Sequence, residues 1–189
     1  MRYDGSDRKI LALAIASDRT VTARLEFPSD TLSGQQRAIE GIAVLVDGGV
    51  AVYGCESEMG LHTGDCGGAW VLILDRDFGT VYASPERRWP KTGFTAIAGT
   101  AGGIAVAGRT AGGSFVIEMD RKGKLVRSLN LDEDDRHTAN ALVAFRDGGL
   151  AGAGRVALGD DNVWRVPWAG WIVKLAAEWG GGANAVDGR

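Results

Sequence analysis

The side chains best equipped for chemistry fall on two stretches of the chain. The first is CESEMGLHTGDC, in which Cys55 and Cys66 bracket His62 and Asp65. Two cysteines at the ends of one loop suit a disulfide that closes it in an oxidising compartment. Loop-closure entropy gives such a link about 3 kcal/mol, less any strain. Free thiols are the second reading. A metal site built from Cys55, His62, Asp65 and Cys66 is the third, because these are ordinary zinc ligands, although the spacing matches no short Cys-x-x-Cys motif. The second stretch is GDDNVWRVPWAGW, which carries Trp164, Trp168 and Trp171 with Asp160, Asp161 and Arg165. Aromatic side chains on a loop stack on sugar rings or anchor a partner. The competing reading folds Trp164 and Trp168 back as a cap on the core.

Other chemistry has less support. Asp132, Glu133, Asp134 and Asp135 form an acidic run before Arg136 and His137. Clustered carboxylates suit Ca²⁺, but the EF-hand spacing and its glycine are absent, so a solvated turn and no cofactor are expected. His62 and His137 are the two histidines. No G-x-S-x-G elbow, P-loop or H-E-x-x-H motif accompanies them. A Ser-His-Asp set needs no sequence proximity, and nothing here speaks for one. Formal net charge is −3 with no Lys/Arg stripe, which argues against nucleic-acid binding.

The elements that must hold these loops announce themselves by repetition. GGVAVYG (Gly48 to Gly54), GGIAVAG (Gly102 to Gly108) and GGLAGAG (Gly148 to Gly154) share one pattern. Each glycine doublet reads as a tight turn between two short apolar runs. Around Gly102, the runs 94–99, 104–108, 114–120 and 125–131 predict a four-stranded antiparallel meander. Phe115, Ile117 and Met119 share one face by alternation. The same grammar predicts strands 39–46, 50–54, 69–75 and 80–84 upstream, and 139–146, 150–155 and 170–175 downstream. Trp70, Phe115 and Trp171 occupy matching places in the third strand, so Trp171 is expected in the core. Lys9 to Leu25 aligns without gaps on Gly113 to Leu129, which sets Leu11, Leu13 and Ile15 against Phe115, Ile117 and Met119. The alternative for Arg8 to Ala16, a signal peptide with Ala14-Ile15-Ala16 at its cleavage site, has a short apolar run and acidic residues (Asp4, Asp7) before it. No apolar run has the length of about 20 residues that a membrane helix needs.

Self-similar units of four strands are the signature of a β-propeller. The units DGGVAVYG…AWVLILDRDFG, GGIAVAG…SFVIEMDRKG and DGGLAGAG…GWIVKL resemble a bacterial family of degenerate propeller repeats, distinct from WD40 and kelch. The resemblance covers residues 9–176 and concerns architecture. It implies an all-β, propeller-like array in one domain, residues 1–179: a half blade at 9–27, blades at 38–84 and 94–131, and a partial blade at 139–176. Residues 180–189 read as a flexible tail. Ala176 to Trp179 depart from the family's D-x-x-G turn, so a fourth strand is not expected there. About three to three and a half blades fall short of the four to eight of closed propellers. Self-association or further blades are therefore expected at the exposed edges.

In propeller topology the longer loops (27–37, 55–68, 85–93, 132–138 and 156–169) share one face, opposite the hairpin turns. Binding groups concentrate on loops held by a rigid scaffold. The expected function is a non-catalytic binding or scaffolding module that uses this face for a protein or glycan, with Trp164, Trp168, Arg165, Asp160, Asp161, His62 and Asp65 as ligand-facing candidates. A hydrolase or lyase with its site on the same face is the alternative, and a propeller fragment without independent function is the third. A disulfide would place the chain outside the cytoplasm, in a periplasm or secreted.

Overall fold

The computed structural model describes residues 9–15, 18–28, 36–57, 66–85, 89–110, 112–131, 137–158 and 168–179. Every regular element among them is a β-strand, all pairings are antiparallel, and no helix is long and apolar enough to cross a membrane. The N-terminal hairpin pairs β1 (Lys9–Ile15) with β2 (Val21–Pro28). Sheet I holds β3 (Gln36–Val44), β4 (Val50–Ser57), β5 (Gly68–Leu74) and β6 (Thr80–Ala83) in chain order, with β7 (Trp89–Pro90) also on β5. Sheet II is the meander β8 (Gly93–Gly99), β9 (Gly103–Thr110), β10 (Gly113–Asp120) and β11 (Leu125–Asn130). Sheet III has three strands among the described residues, β12 (His137–Ala144), β13 (Leu150–Ala157) and β14 (Trp168–Leu175).

The repeated motif has a structural reason at each end. Leu45 and Phe145 each donate a backbone N–H to the carbonyl four residues on, at 2.8 Å, and the glycine inside the turn has φ of +86° (Gly48) or +87° (Gly148). That left-handed backbone favours glycine. Asp47 and Asp147 accept a hydrogen bond from the backbone N–H of Gly49 and Gly149, at 3.2 and 2.9 Å. Sheet II lacks that aspartate and turns one residue more tightly, with Thr100 N–H donating to the Gly103 carbonyl at 2.9 Å. The closing glycines face β-bulges in the first strand of each sheet, at Ile39/Gly41, Phe94/Ala96 and Ala139/Ala141. A Cβ on Gly54 would sit 1.7 Å from the Ala38 carbonyl oxygen, and one on Gly154 1.8 Å from that of Thr138. The bulge pushes first-strand backbone into space that only glycine leaves open.

Sheets I, II and III pack in chain order. β8 lies against β3, β4 and β5, and β12 lies against β8, β9 and β10. Alternation gives each sheet a forward face, toward the next sheet, and a backward face. The core between sheets I and II joins Ala51, Tyr53, Val71 and Ile73 to Phe94, Ile104, Val106, Phe115, Ile117 and Met119. The core between sheets II and III joins Ala96, Ala105, Ala107 and Val116 to Ala139, Leu150, Leu142 and Trp171. Sheet II is thus apolar on both faces, and β10 is buried along nearly its whole length.

Two expectations are corrected here. Part of the presumed loop 85–93 is strand: Trp89 and Pro90 pair with Ala69 and Gly68. The ends of the presumed loop 156–169 also belong to strands, and Trp168 opens β14 opposite Ala157 rather than lying on a loop. Trp171 is a third difference. Trp70 and Phe115 are buried, at 3% and 4% exposure, whereas Trp171, on the face of sheet III that packs against sheet II, is only half-buried.

Candidate functional site

Contacts between sheets align their two ends. At the turn end, Arg121 pairs with Asp47, and Arg127 donates to the carbonyls of Gly148 and Ala177. At the other end, the Ser114 hydroxyl donates to the His137 carbonyl. In sheets I to III the described hairpin turns at 45–49, 100–103 and 145–149 sit at one end, and Ser57, Cys66, Leu158 and Trp168 lie at the other.

Cys55 and Cys66 are joined in a disulfide, with their Cα atoms 5.5 Å apart. This is the first of the three readings of that pair. The link fastens the end of β4 to the start of β5, where Cys55 already stands opposite Ala69. An aromatic group lies beside it. The Phe94 ring is 5.1 Å from Trp89, 6.3 Å from Phe115 and 6.4 Å from Tyr53, edge to face in each case. Such pairs add about 0.5–1.5 kcal/mol each beyond the area they bury.

At the same end, between sheets II and III, His137 and Trp171 lie edge to face at 6.2 Å. The Trp171 indole N–H donates to the Arg155 carbonyl at 3.0 Å, which fixes the ring at the mouth of the connection from Leu158 to Trp168. Trp168 is placed by its backbone alone. Asp160, Asp161, Trp164 and Arg165 on that connection, His62 and Asp65 between Ser57 and Cys66, and the acidic run 132–135 lie outside the described residues. Among the described residues no group of three or more His, Cys, Asp or Glu side chains is set to hold a metal.

Sequence reasoning missed a coupled pair on sheet I. Glu40 sits in the β3 bulge, exposed as a residue, and partial loss of hydration raises its carboxyl above the usual range. Burial likewise raises the Tyr53 phenol, with the Glu40 charge adding to it. The one signal was a lone glutamate interrupting the apolar run of β3. A cavity of about 300 Å³ lies at the turn end, lined by Leu45, Val46, Asp47, Thr100, Ala101, Gly103 and Arg121. The Arg121–Asp47 ion pair bridges this seam between sheets I and II.

No protein-family model matches the chain, and a search of curated proteins finds no significant relative.

Proposed function

We propose that the chain is an open β-propeller array of the degenerate bacterial repeat type, serving as a binding or scaffolding module. Its ligand, a glycan or a protein, is held at the long-loop end. The observation that carries this reading is the asymmetry of the stacked sheets. One end of sheets I to III has hairpin turns closed by local hydrogen bonds, and the other carries the disulfide. A disulfide there cuts the entropy cost of ordering loops around a ligand. It also supports a site of action outside the cytoplasm, where such links persist. The ligand-facing residues on this reading are Trp164, Trp168 and Arg165, with Asp160, Asp161, His62 and Asp65 at the rim.

The test is intrinsic tryptophan fluorescence of the full chain titrated with a panel of soluble oligosaccharides, alongside affinity capture for protein partners. The expected result is saturable binding that Trp164→Ala weakens at least tenfold without shifting the thermal midpoint. A Trp164→Ala chain that loses stability and leaves binding unchanged would make the tryptophan a cap and defeat the proposal.

A further inference from the structure

Three observations identify which strands of the repeat form the N-terminal hairpin. β1 and β2 stand in the register of β10 and β11: Leu11 pairs with Glu26 as Phe115 does with Asn130, and Leu13 with Arg24 as Ile117 does with Ser128. Beside the turn, each pairing skips one residue of the later strand. That residue is Thr22 on β2, Val81 on β6 and Val126 on β11. The turns match as well: Arg19, Phe78 and Gly123 hold the same place, with φ of 71°, 66° and 75°. Left-handed backbone is uncommon outside glycine, so its recurrence at one position marks one turn type. β1 and β2 are therefore the third and fourth strands of a unit.

In sheets I, II and III the other edge of the third strand is paired by a second strand entered through a glycine doublet: β4 on β5, β9 on β10 and β13 on β14. These strands begin Gly49-Val50-Ala51, Gly103-Ile104-Ala105 and Gly149-Leu150-Ala151. Each lies between two neighbours, whereas among the described residues β1 pairs with β2 alone. The backbone groups on its open edge follow from the equivalence. Leu131 N–H donates to the Ser114 carbonyl at 2.7 Å, and Ser84 N–H to the Val71 carbonyl at 2.9 Å. Ser114, Val71 and, by alternation, Val116 thus face the fourth strand, and the residues between them face the second. On β1 this turns the N–H and C=O groups of Leu11, Leu13 and Ile15 to the open edge. Such an edge is a template for another strand.

We propose that β1 takes a strand in trans: the second strand of a glycine-doublet hairpin from a further repeat unit, added antiparallel with its aliphatic residue after the doublet opposite Ile15. The occupant is of this type because such a strand fills the equivalent edge in all three sheets. It is not β4, β9 or β13 of a second copy, since each of those already has both neighbours. In strand addition the main-chain hydrogen bonds supply affinity. The inference rests on the repeat reading and not on a ligand at the loop end: tryptophan fluorescence tests that ligand, and a peptide tests the edge.

The probe is a fluorescein-labelled peptide of residues 100–110, TAGGIAVAGRT, which spans β9, titrated into the full chain and read by fluorescence anisotropy. On β9 the Gly103 carbonyl faces β8, where it accepts from Thr100, so Ala105 faces β8 as well and Val106, opposite Ile117, faces β10. The expected result is saturable binding. N-methylation of the Val106 amide should weaken it about tenfold or more, and N-methylation of the Ala105 amide should leave it within about twofold, because only the first removes a hydrogen bond to the receiving strand. Hydrogen exchange read at each amide of the chain is expected to gain protection at Leu11, Leu13 and Ile15. The change is made in the peptide, so folding of the chain is not at issue. Absence of saturable binding overturns the proposal, as does equal binding of the two methylated peptides or protection gained on β14 in place of β1.

Discussion

The closing glycine of each repeat shows how one side chain's absence sets local geometry. Gly108 has the Phe115 ring 2.6 Å and the Gly93 carbonyl oxygen 2.8 Å from where a Cβ would lie, so neither ring nor backbone has room to yield. Gly102, six residues earlier in the same motif, has nothing within 4 Å. Overpacking of this kind typically costs about 1–3 kcal/mol. Gly108→Ala is therefore expected to lower unfolding free energy by about 3 kcal/mol in urea denaturation, and Gly102→Ala to leave it unchanged within about 0.5 kcal/mol. Glu40 gives a prediction in pH. Partial loss of hydration raises its folded-state carboxyl above the unfolded value, so the native chain holds that proton more tightly. Its contribution is favourable at acidic pH and is lost as pH rises through the carboxylate range. Glu40→Gln is expected to raise the thermal midpoint at neutral pH relative to wild type. The difference should shrink as pH falls through that range, as calorimetry at several pH values would show.

At the scale of elements, the strands were legible because alternation and turn residues report directly on pleat and hairpin. The boundaries 94–99 and 125–131 fall within a residue of β8 and β11. What stayed hidden was set by contacts distant in sequence. β7 is a two-residue strand containing Pro90, and it exists because Trp89 packs on Phe94. The three bulges leave no mark in their own strands and show only as a glycine on the neighbouring one. The disulfide was legible as one of three readings, and the strand pairing places Cys55 near the start of β5. Cys55→Ser with Cys66→Ser is expected to cost about 3 kcal/mol. Reduction of wild type should reproduce most of that loss in the same denaturation assay. Arg127, held by an ion pair within sheet II, ties that sheet to sheet III. Glu118 stands opposite Arg127 and pairs with it, while Arg127 also reaches the Gly148 and Ala177 carbonyls and lies 4.7 Å over the Trp179 ring. Removing one partner of a largely buried pair strands the other. Arg127→Ala is expected to destabilise the chain by about 3 kcal/mol and to red-shift Trp179 emission as that ring gains water.

At the scale of the molecule, the repeats foretold an all-β chain of antiparallel sheets, and a four-strand unit cannot bury both of its apolar faces alone. They did not foretell which faces stay open. On the forward face of sheet III, Ile172 is exposed where its sheet II counterpart Val116 is buried. The candidate site was legible only as a location: its residues lie on the connections, and the sheets fix where those connections leave and return.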